Sequence, residues 1–114
     1  MKINQRRQEV TQILGDNEVI LAAATFVVEV EQMHGNISKL KVKQAEQLRL
    51  PLLTIAMSDR IQANHARKRL EALNAAIEYA NGDVSARKRY IAASQQADRL
   101  AEIVAKRVDR IQWP

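Results

Sequence analysis

The chain contains no cysteine. That absence excludes a disulfide framework, thiolate metal sites and a cysteine nucleophile, and it suits a reducing cytoplasm. Aromatic residues are scarce, with one Phe, two Tyr and one Trp, so a core has to be assembled from Ala, Leu, Ile and Val. Glycine and proline are rare too, at three and two residues. An alanine-rich chain poor in both favours helices over sheets. The most apolar stretch, Val19 to Val28, already contains Thr25 and falls well short of the roughly 20 residues that a membrane span needs. The start of the chain also lacks the charged, apolar and small-residue succession of a secretory signal. These absences predict a cytoplasmic protein that does not enter membranes.

What is present points to one folded domain. A chain of 114 residues is long enough to bury a single core. Apolar residues at 46% and charged residues at 27% set it apart from disordered chains. The net charge of +5 is unevenly spread. Residues 1–37 carry three basic and five acidic side chains, and residues 38–114 carry fifteen and eight, for net charges of −2 and +7. A basic second part predicts an acidic or nucleic-acid-associated partner, or simply a well-solvated surface.

The three glycines mark candidate turns at Gly15-Asp16-Asn17, His34-Gly35-Asn36 and Asn81-Gly82-Asp83. Glycine just past a helix end, followed by a residue able to cap the next helix, signals helix–turn–helix. At the third turn Gly82 suits the left-handed position and Asp83 suits capping. Before it, Ala63, Ala66, Leu70, Leu73, Ile77 and Ala80 recur at helical spacing; after it, Ala86, Tyr90, Ala93, Ala97, Leu100, Val104, Val108 and Ile111 do the same. The two stripes predict an antiparallel helical hairpin, with a last helix over about 84–112. The predicted fold is therefore mainly α: a long C-terminal hairpin within 51–113, packed with shorter helices from an N-terminal segment, 1–50. A narrow seam of small residues leaves much of two long helices uncovered, so oligomerisation is also expected.

Residues 26–43 admit a second reading. Val28-Glu29-Val30-Glu31 and Lys39-Leu40-Lys41-Val42-Lys43 both alternate. A β-hairpin would set Glu29 opposite Lys41 and Glu31 opposite Lys39. As helices, the same segments place acids near a C-terminus and bases near an N-terminus, against the dipole. The alternative fold is thus α+β with a hairpin at about 26–43.

Signals for catalysis are weak. The two histidines, His34 and His65, stand in no site-building pattern. Glu31 and His34 have the spacing of a carboxylate-bridged di-iron helix, but the further ligands that site needs are missing. His34 reads as a turn residue and His65 as part of a solvated face. No phosphate loop or nucleophile elbow occurs. No enzyme activity, metal or cofactor is expected. The basic triplets Arg67-Lys68-Arg69 and Arg87-Lys88-Arg89, with Lys106, Arg107 and Arg110, are candidate polyanion contacts. Consecutive helical residues point in different directions, which suits loose phosphate contact rather than groove reading.

The sharpest motif is Gln47-Leu48-Arg49-Leu50-Pro51-Leu52. It resembles the Gln-Leu-x-Leu-x-Leu hexapeptide by which many bacterial replication and repair proteins dock on the DNA polymerase sliding clamp. The resemblance implies a hydrogen-bonding role for Gln47 and apolar contacts from Leu48, Leu50 and Leu52. Pro51 favours the extended backbone such a peptide needs. Trp113, next to the final Pro114, is a candidate partner anchor or a plug for its own bundle. The function expected is a non-catalytic helical interaction or assembly protein with a basic C-terminal half. The alternatives are a bacterial or phage accessory factor on the sliding clamp and, less favoured, a small helical enzyme or ligand-binding bundle.

Overall fold

The computed structural model describes the backbone of residues 2–110 and the side chains of residues 7–110. Five helices follow one another: α1 (Lys2–Gln32), α2 (Lys39–Glu46), α3 (Arg49–Ala56), α4 (Ala63–Ala80) and α5 (Ala86–Asp109). No strand occurs among the described residues. The antiparallel hairpin expected from the sequence is α4 with α5, the most closely packed pair of helices. α4 lies at the centre, with α1, α2 and α3 packed against it as well. Its alanines Ala66, Ala72, Ala75 and Ala76 are buried, and their short side chains let several helices approach it closely. The candidate anchor Trp113 and the stripe residue Ile111 lie outside the described residues.

The turn between α4 and α5 forms as its residues dictate. Gly82 takes a φ of 110°, its N–H donates to the Tyr79 carbonyl, and Asp83 N–H donates to that of Glu78. This double closure satisfies carbonyls that a helix end leaves open. Asp83 Oδ1 then accepts from the backbone N–H of Ser85 at 3.1 Å and from its hydroxyl at 2.6 Å. Those bonds, with Arg89 nearby, hold the Asp83 carboxyl below its ordinary pKa.

The β-hairpin alternative at 26–43 is corrected by the structure. Phe26, Val27 and Val30 are buried from α1 and Val42 from α2, a spacing that covers the core only from a helix. Glu29 and Lys41 do meet, at 3.1 Å, but as side chains of two packed helices. Glu31 pairs with Arg87 at 2.7 Å rather than with Lys39. Cations supplied by other elements neutralise the acids near the end of α1, which offsets their unfavourable placement in the dipole. The turn itself uses His34 at φ 51° and Gly35 at φ 82°, with Gly35 N–H donating to the Val30 carbonyl at 2.9 Å.

A second difference is the length of α1. The first turn expected, at Gly15-Asp16-Asn17, is absent, and the helix runs through it to become the longest of the five. Gly15 costs about 1 kcal/mol in a helix interior. Burial of Ile13, Asp16, Ile20, Ala23, Val27 and Val30 along one continuous stripe outweighs that cost.

Candidate interaction surfaces and a buried polar network

The segment that resembles a clamp-docking peptide is helical. Gln47 closes α2 and Leu48 opens α3, both with helical dihedrals. Pro51 sits in the first turn of α3, where a missing N–H is tolerated. Its ring excludes the carbonyl four residues earlier, and the break between α2 and α3 falls there, at Gln47 and Leu48. The six residues therefore divide: Gln47, Arg49, Leu50 and Pro51 are exposed, Leu48 is partly covered, and Leu52 is 0% exposed within the core. An extended conformation of residues 47–52 would require Leu52 to leave that core.

The basic triplets are largely engaged within the molecule. Arg67 donates to the Ala56 carbonyl at 3.2 Å and so caps the end of α3. Lys68 pairs with Glu71, Arg69 with Asp98, Arg87 with Glu31, and Arg89 with Glu78 and Asp83. Arg69–Asp98 and Arg89–Glu78 join α4 to α5, while Arg87–Glu31 joins α5 to α1. Lys88, Lys106, Arg107 and Arg110 are exposed, and no ion pair among the described residues holds them. Lys106 and Arg107 also occupy the last turn of α5, where cations complement the dipole.

His65 is not on a solvated face. It is buried at the start of α4, where Arg69 Nε donates to its Nε2 at 3.2 Å. The proton therefore sits on Nδ1, which donates to Gln62 Oε1 at 2.9 Å. Gln62 Nε2 in turn donates to Asn17 Oδ1 of α1, and Asp98 of α5 receives Arg69. This chain of bonds ties α1, α4 and α5 together. Burial and the neighbouring Arg69 push the His65 pKa down to about 4. Beside it, Arg60 donates to both oxygens of the buried Asp16 at 2.9 and 3.2 Å. Residues read as a turn thus anchor the 57–62 loop to α1.

A second polar contact lies at the C-terminal end of α1. Tyr90, almost fully buried, donates its hydroxyl to Glu31, which also accepts from Arg87 at 2.7 Å. The Tyr90 hydrogen bond and Arg87 hold the Glu31 carboxyl below its ordinary pKa, against its partial desolvation. Burial and the same carboxylate push the Tyr90 phenol up. Glu31 and His34 come together in no metal site, and no group of three or more potential metal ligands occurs among the described residues.

Large apolar side chains remain on the surface in rows. On α3, Leu50, Leu53 and Met57 share one outer face, with Leu50 71% and Met57 78% exposed. On α1, Leu14, Leu21 and Val28 are exposed opposite its buried stripe. A groove of about 300 Å³ between α1 and α2 has Phe26, Ala45 and Leu48 along it and Glu29 and Lys41 beside them. The α1 row escapes a reading of the sequence that breaks the helix at Gly15; its seven-residue recurrence is visible once the helix is continuous. No helix among the described residues is long and apolar enough to cross a membrane. Comparison with protein-family models, with characterised proteins and with solved structures finds no match to this chain.

Proposed function

We propose that this chain is a non-catalytic helical interaction protein that works by presenting exposed apolar helix faces and a small basic patch near the end of α5. The observation that carries the reading is the row Leu50, Leu53 and Met57, three large apolar side chains on one face of a short helix. Contiguous exposed apolar surface is the kind of feature that contact sites use. The basic patch is Lys106, Arg107 and Arg110, with Lys88 alone about 27 Å away along α5, because the other triplet residues already serve the fold. An acidic or nucleic-acid-associated partner fits that patch. The test compares two variant sets. Lys106→Glu with Arg107→Glu should weaken a mobility shift of duplex DNA or an acidic peptide and flatten its salt dependence. Arg69→Ala should instead lower stability. Equal polyanion binding by both variants and the parent would remove the basic patch from the function.

The exposure of Gln47 and Leu50 favours a second, narrower reading, docking on the replication sliding clamp. It requires residues 47–52 to unwind on binding. Clamp capture that is lost in Gln47→Ala with Leu50→Ala would support it. Absence of clamp binding by the parent chain would end it.

A further inference from the structure

The row Leu14, Leu21 and Val28 lies on the side of α1 away from its buried stripe, with exposures of 61%, 66% and 53%. A recurrence of seven residues is close to two helical turns, so the three side chains form one nearly straight line. Such a line supplies one of the two seam positions with which one helix packs along a second, and Asn17 and Ala24 occupy the other. Asn17, Glu18, Ala24 and Thr25 stand on either side of it, a fringe with a single charge.

We propose that two copies of this chain pair antiparallel along α1, with Leu21 meeting its counterpart at the two-fold axis. The inference deepens the assembly reading above and rests on it. Inverting the row about Leu21 places Leu14 opposite Val28, so the surface complements itself and the contact closes as a pair. The helix dipoles and Glu18 select the direction. Antiparallel pairing opposes the two dipoles. Parallel pairing would instead align Glu18 with Glu18 and like ends with like.

The available surface also suits a second copy. The chain exposes 7663 Å², whereas a monomeric protein of its mass exposes about 6,300 Å². The surplus of about 1,300 Å² is larger than the roughly 800 Å² that one partner contributes to a standard interface. It accompanies an elongated shape, 51 Å in its longest dimension and 25 and 22 Å across, whose long edge α1 can supply. With the two-fold axis at Leu21, residues 10–32 of the two α1 helices overlap, about 34 Å at about 1.5 Å per residue.

The absence of native cysteine makes the geometry testable in the full chain. With a short bis-maleimide reagent, Leu21→Cys should cross-link to itself in high yield. Leu14→Cys should cross-link efficiently only when mixed with Val28→Cys. Light scattering should give the parent about twice 12.9 kDa, and Leu21→Lys, an exposed and therefore well-tolerated change, half that mass with an unaltered helical circular dichroism spectrum. Efficient cross-linking of Leu14→Cys to itself would overturn the antiparallel arrangement. A parent mass of 12.9 kDa at high micromolar concentration would overturn the pairing altogether. If the parent is monomeric yet Leu50→Glu or Met57→Glu abolishes binding to another protein, the pairing fails while the interaction reading stands. If the pairing holds and those α3 variants change nothing, the α3 part of the function fails instead.

Discussion

Arg60 reaches back 44 residues and donates one guanidinium nitrogen to both carboxylate oxygens of Asp16, at 2.9 and 3.2 Å. The carboxylate is buried and the guanidinium is about one-third exposed. Removing one partner of a largely buried, charge-assisted contact leaves the other without compensation. Asp16→Ala should therefore lower stability by about 2 kcal/mol in urea denaturation. An unchanged midpoint would show that the 57–62 loop is not anchored there.

The three glycines should respond in different directions. Gly15 is helical, and a Cβ added there meets no atom within 4 Å, so Gly15→Ala should raise stability by about 1 kcal/mol. Gly82→Ala forces a side chain into the left-handed region at φ 110° and should cost about 1–2 kcal/mol. Gly35→Ala combines a φ of 82° with a contact of 2.9 Å to Tyr79 Cε1 and should cost more than Gly82→Ala. Thermal melts of the three variants check the order.

Leu52→Ala empties a fully buried position and should cost about 3 kcal/mol. Leu50→Ala, two residues earlier and exposed, should change stability by less than about 0.5 kcal/mol. Equal, small effects at both positions would place the whole 47–52 segment on the surface.

His65 makes stability depend on pH in a defined window. Its folded pKa, pushed down to about 4 from 6.5, means that the unfolded chain takes up a proton the folded chain refuses. Stability should hold steady above pH 6.5 and fall as the pH drops from 6.5 to 4, by at most about 3 kcal/mol. Arg69 and Asp98 flank the ring: the first deepens the shift and the second moderates it. Glu31, whose pKa is lowered from 4.5 in the fold, begins to lose its contribution only as the pH falls below 4.5. Urea titrations at intervals from pH 7.5 to 4 should show the slope in the parent and its loss in His65→Gln.

The hairpin was legible because its signals are local. Asn81, Gly82 and Asp83 act on their own neighbours, and the stripes on either side have a single period. Residues whose role is set at a distance were not legible. Asp16 and Asn17 look like turn formers, yet their partners Arg60 and Gln62 lie more than 40 residues on. His65 stands among polar residues in sequence and is buried by elements from elsewhere in the chain. Glu29 and Lys41 were expected to meet and do, because charge complementarity is shared by a hairpin and a helix pair. What decided between the two was the helical spacing of Phe26, Val27 and Val30. The triplets were legible as basic but not as paired, since Glu31, Glu78 and Asp98 reach them only in the folded molecule.

The central structural claim, that a second copy covers the exposed face of α1, is tested most directly by the thermal midpoint as a function of protein concentration. Association linked to folding makes that midpoint rise with concentration. The parent chain should show such a rise over a hundredfold range, and Leu21→Lys should show none. A parent midpoint that stays flat over that range would contradict the pairing along α1.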